Sequence, residues 1–274
     1  MYPGPSGNRY SLENAREGLA PGGWYYDALL ERLEYYPLPG AAGAPADAVV
    51  GFLPSALLAS AGASDLEFQG LALAHSTTGP AAWFHGVSDV VLSQVSVAHS
   101  QGQGLKISNS SRVLVERCHV SDTGTDGIFL CDNIDTDADG NNGIAVRDSL
   151  VERTGLSPDA GQTFGIRLCG TDNITVLHNE VRGSTYGGIG LGWQWGPEPT
   201  AFTWPIFNVS FNHVHAFGFL QILSDFGGIY ASGLCPPTED TTSAKCQINA
   251  HVYQNVVHNG TCFNYGCNGL YGDL

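Results

Sequence analysis

One short pattern recurs along this chain and limits what it can fold into. Glycine, an apolar residue, any residue, then a mostly apolar or small one appear in "GLKIS" at Gly104, "GIFLC" at Gly127 and "GIRLC" at Gly165. The same pattern returns in "GIGLG" at Gly188, "GIYAS" at Gly228 and "GLYGD" at Gly269. Alternating segments such as "VLVERCHVSD", "ITVLHNEVRG" and "VSFNHVHAFG" precede these pieces. Apolar and polar residues alternate in both sets, which is the periodicity of a strand. The plainest repeats lie about 23 residues apart, the size of one turn of a parallel β-solenoid.

A solenoid stacks one position above the same position of the previous turn. Asn179, Asn212 and Asn255 then share a column at the start of a turn, where their amides can hydrogen-bond up and down the stack. Ile128, Ile166, Ile189, Ile229 and Leu270 form an inward apolar column. Cys131 and Cys169 meet on adjacent turns, at a strand spacing of about 4.8 Å that admits a disulfide. Two free thiols in a ladder fit that spacing too. Cys235/Cys246 and Cys262/Cys267 each bracket a short loop that a disulfide could close, and seven cysteines leave an odd one.

Composition agrees with an all-β chain. Thirty-six glycines, one methionine and 14% charged residues in 274 argue for many tight turns and few long helices. The expected fold is a right-handed parallel β-helix over residues 51–274. It is expected to be C-terminally truncated, because "NGLYGDL" stops in mid-strand. Residues 1–50 do not fit the repeat. Their "GGWYYD" and "LEYYP" read as two strands of a flanking β-hairpin.

A net charge of −15 disfavours nucleic acid as a partner, since acidic surfaces repel phosphate. No apolar run is long enough to span a bilayer. "MYPGPSGNRY" has neither the basic start nor the apolar core of a signal peptide. Sequons at Asn109, Asn173, Asn208 and Asn259, together with the cysteines, point to a secreted glycoprotein whose true start lies upstream.

The turns are not uniform. Nine residues separate Cys118 from Gly127, but sixteen separate Asn212 from Gly228. Long insertions follow Gly192 and Gly233. Loops raised on both edges of one sheet make a groove, and loops on a rigid scaffold carry function. Asp225, in "SDFGGIYASG", lies at the rim of that groove.

The N-terminal "NRYSLENAREGLAPGGWYYD", followed by "YGGIGLGWQWG", "FNHVHAFG", "SDFGGIYASG" and "NGLYGD" in this order, resembles the right-handed β-helix glycoside hydrolases of the pectate-lyase-like superfamily. That group contains α-L-fucosidases and xylanases. The resemblance spans nearly the whole chain and implies a hydrolase acting on a plant or algal cell-wall polysaccharide or oligosaccharide. It also implies that Asp225 and Asp273 are the catalytic carboxyls. The chain departs from the family pattern at Gly23, where members carry Glu, and at Leu274, where members carry a second acid.

Glycoside hydrolysis uses one carboxylic acid to protonate the leaving oxygen and one carboxylate as nucleophile or base. Asp225 lies three residues before its glycine and Asp273 four after the equivalent one. In a straight strand that offset of seven is about 23 Å, so Gly227 and Gly228 must turn the chain if the pair is to meet. The alternative for Asp225 is an Asx-type turn. His215 and His258 share a column after the Asn ladder and are candidates to hold a sugar hydroxyl. Tyr230 and Tyr271, in an outward column with Phe129, and Trp193 and Trp195, beside it, offer aromatic faces to sugar rings. "DTDADGNNG" places Asp135, Asp137 and Asp139 like the first half of a calcium loop, but Val146 stands where the bidentate acid belongs. No other cofactor is expected. A polysaccharide lyase or epimerase, which would draw on Lys106 and Arg167, and a non-catalytic adhesion module are the competing readings.

Overall fold

The structure is a computed structural model that describes residues 14–41, 48–131, 140–157, 160–169, 171–192, 206–220, 223–232 and 249–273. The chain divides into two compact units, Met1–Val50 and Gly51–Leu274.

In the first unit Trp24–Asp27 pairs antiparallel with Arg32–Tyr35, Trp24 opposite Tyr35. Asp27 closes the hairpin: its Oδ1 accepts the backbone N–H groups of Leu29 and Leu30, each at 3.0 Å. The aromatic-rich segment therefore forms the expected hairpin because an Asx-type cap fixes its turn.

The second unit is a parallel β-helix with three sheets wound in sequence. The sheet here called the groove sheet stacks Leu57–Ala59, Ala82–His85, Leu105–Ser108, Ile128–Cys131, Phe164–Cys169, Gly187–Leu191, Phe226–Ser232 and Cys267–Asp273. A second sheet runs from Ser64–Gln69 to Asn249–Tyr253, and a third from Ala72–Ala74 to Val256–His258. No helix among the described residues is long and apolar enough to cross a membrane.

The core columns follow the alternation. Ile128 pairs in register with Ile166, Ile166 with Ile189, Ile189 with Ile229 and Ile229 with Leu270. The four isoleucines are buried. Each is worth about 1.5–3 kcal/mol for leaving water. Leu270 keeps the register but is 64% exposed, because no rung covers it among the described residues.

The recurrent glycine has a steric cause. A Cβ at Gly127 would lie 2.4 Å from Val151 Cγ1 and 2.6 Å from the Gly165 carbonyl oxygen of the next rung. Only a residue without a side chain lets the third sheet turn into the groove sheet there.

The corner between the second and third sheets is equally regular. Gln94, Arg117, Asp148, His178, Phe211 and Gln254 all take left-handed φ values of 50–57°. Of the residues that follow these, Ser149, Asn179, Asn212 and Asn255 enter the ladder. Asn179 Nδ2 donates to Asn212 Oδ1 at 3.0 Å, and Asn212 Nδ2 to Asn255 Oδ1 at 3.0 Å. Ser149 Oγ continues the column by accepting the Cys118 N–H at 3.1 Å. Cys131 and Cys169 are disulfide-bonded with Cα atoms 4.6 Å apart, and Cys262 is bonded to Cys267. Cys118 is free and buried, and burial pushes its thiol pKa up. Cys235 and Cys246 lie outside the described residues.

Candidate functional site

The outward positions of the groove sheet form one column. Trp83, Lys106, Phe129, Arg167, Gly190, Tyr230 and Tyr271 follow one another in register from rung to rung. Aromatic and cationic side chains alternate in its early part. Lys106 Nζ lies 4.7 Å from the Trp83 ring centre, and the Arg167 guanidinium carbon 5.8 Å from that of Phe129. Both spacings are cation–π contacts.

Arg167 has a second partner. Its Nε donates to Asp126 Oδ1 at 2.9 Å, and the Phe164 N–H donates to the same oxygen at 2.8 Å. Asp126 is buried, which pushes its carboxyl pKa up against the opposing pull of Arg167. This pair was not among the sequence candidates. Its signal was the position of Asp126 just before the Gly127 turn, outside the repeat pattern.

The late rungs hold an aromatic cluster around Asp225. Gly187 and Gly190 leave space on one rung for the Phe164 ring of the previous one: a Cβ at Gly190 would meet three Phe164 ring carbons at 3.0 Å. Phe164 packs edge-on against Tyr186 and Tyr230, with ring centres 5.4 and 6.3 Å apart. Tyr230 lies 4.6 Å from Tyr271 by ring centres. Tyr230 was expected to face outward and lie open to a sugar. It occupies the outward column but is only 2% exposed, so it lines the cluster rather than the groove surface.

Asp225 sits at the edge of this cluster and is partly exposed. Two tyrosines hold it. The Tyr271 hydroxyl donates to Asp225 Oδ1 at 2.9 Å, and the Tyr186 hydroxyl donates to the Asp225 carbonyl oxygen at 2.5 Å. Burial raises the Tyr186 pKa well above the phenol range, and the nearby Asp225 charge adds to it. Asp225 itself is in the left-handed region, at φ 66°. Aspartate and asparagine tolerate that conformation better than most residues. Tyr186 was also missed, because it precedes the glycine motif and carries no periodic signal.

The chain bends at Gly227 and Gly228: a Cβ at Gly227 would lie 2.8 Å from Tyr271 Cβ, although Gly227 is in register with Asn268. Phe226–Ser232 is one continuous strand, paired in register with Cys267–Asp273 from Phe226–Cys267 to Ser232–Asp273. Asp225 therefore stands before one end of this strand pair and Asp273 at the other. The seven-residue offset would be about 23 Å in a straight strand, and the bend shortens it. A glycosidase pair needs its carboxyls roughly 5–9.5 Å apart.

The remaining sequence candidates fall elsewhere. His215 and His258 stack in register as expected, but on the third sheet, so they do not share a strand face with Asp225. Their rings are 5.2 Å apart. Trp193, Trp195, Asp135, Asp137 and Asp139 lie outside the described residues.

Residues 56–195 match the family described as a right handed beta helix region. No curated protein sequence matches the chain. Three solved structures share the fold. One is described as a glycoside hydrolase, with 16% identity and a TM-score of 0.67 over 80% of this chain and 47% of that one. Another is a mutant of the periplasmic alginate epimerase AlgG, with 10% identity and a TM-score of 0.51, covering 73% of this chain and 42% of that one. The third is the A-module of the Azotobacter vinelandii mannuronan C-5 epimerase AlgE4, also at 10% identity and a TM-score of 0.51. It covers 77% of this chain and 54% of that module. The chain thus spans about half the length of the structures it matches.

Proposed function

We propose, on the premise that this chain belongs to the right-handed β-helix family, that it is a carbohydrate-active hydrolase whose reacting groups are Asp225 and Tyr271. The observation that carries the reading is the 2.9 Å hydrogen bond from the Tyr271 hydroxyl to Asp225 Oδ1 at the rim of the groove sheet. A carboxylate in that position can take the phenol proton as the phenol oxygen attacks the anomeric carbon; the glycosidic bond breaks, its oxygen leaves with a proton from Asp273, and water then frees the sugar from the phenol oxygen. Some glycosidases use a tyrosine nucleophile in this way. Packing of Tyr271 against Tyr230 and its bond to Asp225 hold the hydroxyl in one place, which lowers the cost of reaching the reacting geometry.

The glycan lies across the strands, parallel to the solenoid axis. Arg167 is three rungs from Tyr271, about 14 Å at the usual strand spacing. The stripe of Trp83, Lys106, Phe129 and Arg167 therefore serves sugars remote from the bond that breaks. Aromatic faces suit the apolar faces of sugar rings, and Lys106 can meet an acid group of a cell-wall or algal glycan. Asp273, two residues beyond Tyr271 on the same strand, is the second carboxyl of this reading. The two disulfides and the periplasmic alginate epimerase among the structural neighbours favour a location outside the cytoplasm.

A second reading is a lyase or epimerase. It draws on the same tyrosine and carboxylate, with Tyr271 moving a proton at a uronate carbon, and on the two epimerases among the neighbours. The pairing of Arg167 with buried Asp126 weighs against it, because that cation is already engaged. Incubation with neutral, uronate-containing and sulfated glycans separates the readings. New reducing ends without unsaturated sugars support hydrolysis. Unsaturated uronides, or solvent deuterium at C5 without cleavage, support the second reading. Tight binding with no change in any glycan would leave a non-catalytic adhesion module.

A further inference from the structure

The outer face of the third sheet carries a group of imidazoles apart from the groove sheet. On the strand His213–His215, His213 and His215 alternate with Val214, which is buried. Both histidines therefore face outward. The next rung adds His258 in register with His215. His213 Nε2 is 2.8 Å from His258 Nε2, and the His213 and His215 rings stack with centres 4.3 Å apart. One nitrogen from each ring lies within 4.8 Å of the other two. On the preceding rung Glu180 is in register with His213, and its Oε1 is 3.0 Å from His215 Nε2.

These separations are those of a ligand set. Three imidazole nitrogens at about 2.1 Å from a tetrahedral ion lie about 3.4 Å from one another. The 2.8 Å contact and the 4.8 Å limit bracket that value, so small ring rotations bring all three into place. We propose that His213, His215 and His258 form a binding site for one divalent transition-metal ion of the zinc class, with the Glu180 carboxylate supplying negative charge beside it. Three neutral nitrogen donors select zinc, cobalt, nickel or copper over calcium and magnesium, which prefer oxygen. A carboxylate against a ligating imidazole is the usual means of fixing such a ring. The ligands come from two consecutive rungs, with His213 and His258 separated by 45 residues. A bound ion would therefore clamp the late rungs and stabilise the folded chain in proportion to its occupancy.

Sequence reading found His215 and His258 from their distance to the Asn ladder. It missed His213, although "HVH" places two histidines on one strand face.

The test is titration of the metal-free protein with zinc and with cobalt, calcium and magnesium serving as controls. Stoichiometry is read by calorimetry and the cobalt site by its visible spectrum. One zinc or cobalt per chain is expected, with a cobalt spectrum of tetrahedral nitrogen ligation and a melting temperature that rises with zinc. His258→Ala and His215→Ala should weaken binding roughly tenfold or more. His178→Ala, at an exposed histidine in the corner between the second and third sheets, should leave binding unchanged. His213→Gln keeps a hydrogen-bonding group against His258 and should lose the metal while keeping the metal-free melting temperature. Absence of zinc and cobalt binding, or equal binding by wild type and His258→Ala, would overturn the proposal. So would displacement of zinc by equimolar calcium.

Discussion

The Tyr271 hydroxyl reaches back one rung to donate to Asp225 Oδ1 at 2.9 Å, while the Tyr186 hydroxyl holds the carbonyl oxygen of the same residue. Two phenols thus fix an aspartate whose backbone is left-handed. The reactive pair proposed here is a carboxylate and a tyrosine on neighbouring rungs, with Asp273 two residues beyond that tyrosine.

The ladder makes a prediction about stability. Asn212 is buried; its Nδ2 donates to the Val176 carbonyl and Asn255 Oδ1, and its Oδ1 accepts from the Asn179 N–H and side-chain amide. Replacing it with alanine leaves several of these groups unpaired. Asn212→Ala should cost about 3 kcal/mol in denaturant unfolding. Asn212→Ser should cost less, because Ser149 already serves the same column with a hydroxyl.

The glycine column predicts a steric failure. The Cβ of Gly127→Ala would press on a valine methyl, which can rotate, and on the Gly165 carbonyl, which cannot without moving the next rung. The loss should be about 3 kcal/mol or more. Gly272→Ala, where a Cβ would meet nothing within 4 Å, should melt like wild type.

Glu152 predicts a pH dependence. Burial raises its pKa, but hydrogen bonds from Arg182, His119 and Arg153 outweigh that and hold it below the usual glutamate range. A folded pKa below the unfolded one gives stability that is present above the unfolded value of about 4.3 and lost as pH falls through the folded value. Glu152→Gln should therefore be less stable than wild type by about 1–3 kcal/mol at neutral pH. The gap should narrow as melting is followed below pH 4 or so. A constant gap across that range would show that the charge is not what matters.

The fold was legible in the sequence because a solenoid repeats its reasons. The isoleucine column, the Asn179–Asn212–Asn255 ladder and the glycine turns each obey one steric or hydrogen-bonding rule at every rung, so the pattern accumulates along the chain. The site was less legible because it sits where the repeat breaks. Gly227 and Gly228 permit a bend, and only the folded chain shows it, in the approach of Gly227 to Tyr271 on the next rung. Tyr230 was assigned to the right face, but its burial depends on the rings of Phe164 and Tyr186 from other rungs. The Asp126–Arg167 pair joins residues 41 apart, and its one local cue is the place of Asp126 just before Gly127.

The measurement that tests the central claim most directly is glycan turnover by Asp225→Asn, read beside its melting curve. Asparagine suits φ 66° and can still accept the Tyr271 hydroxyl, so the fold and its melting temperature should be kept. It cannot take the phenol proton, so hydrolysis should fall by at least about a hundredfold, and Tyr271→Phe should match it. Turnover by Asp225→Asn at the wild-type rate would return Asp225 to the role of a turn residue and contradict the account.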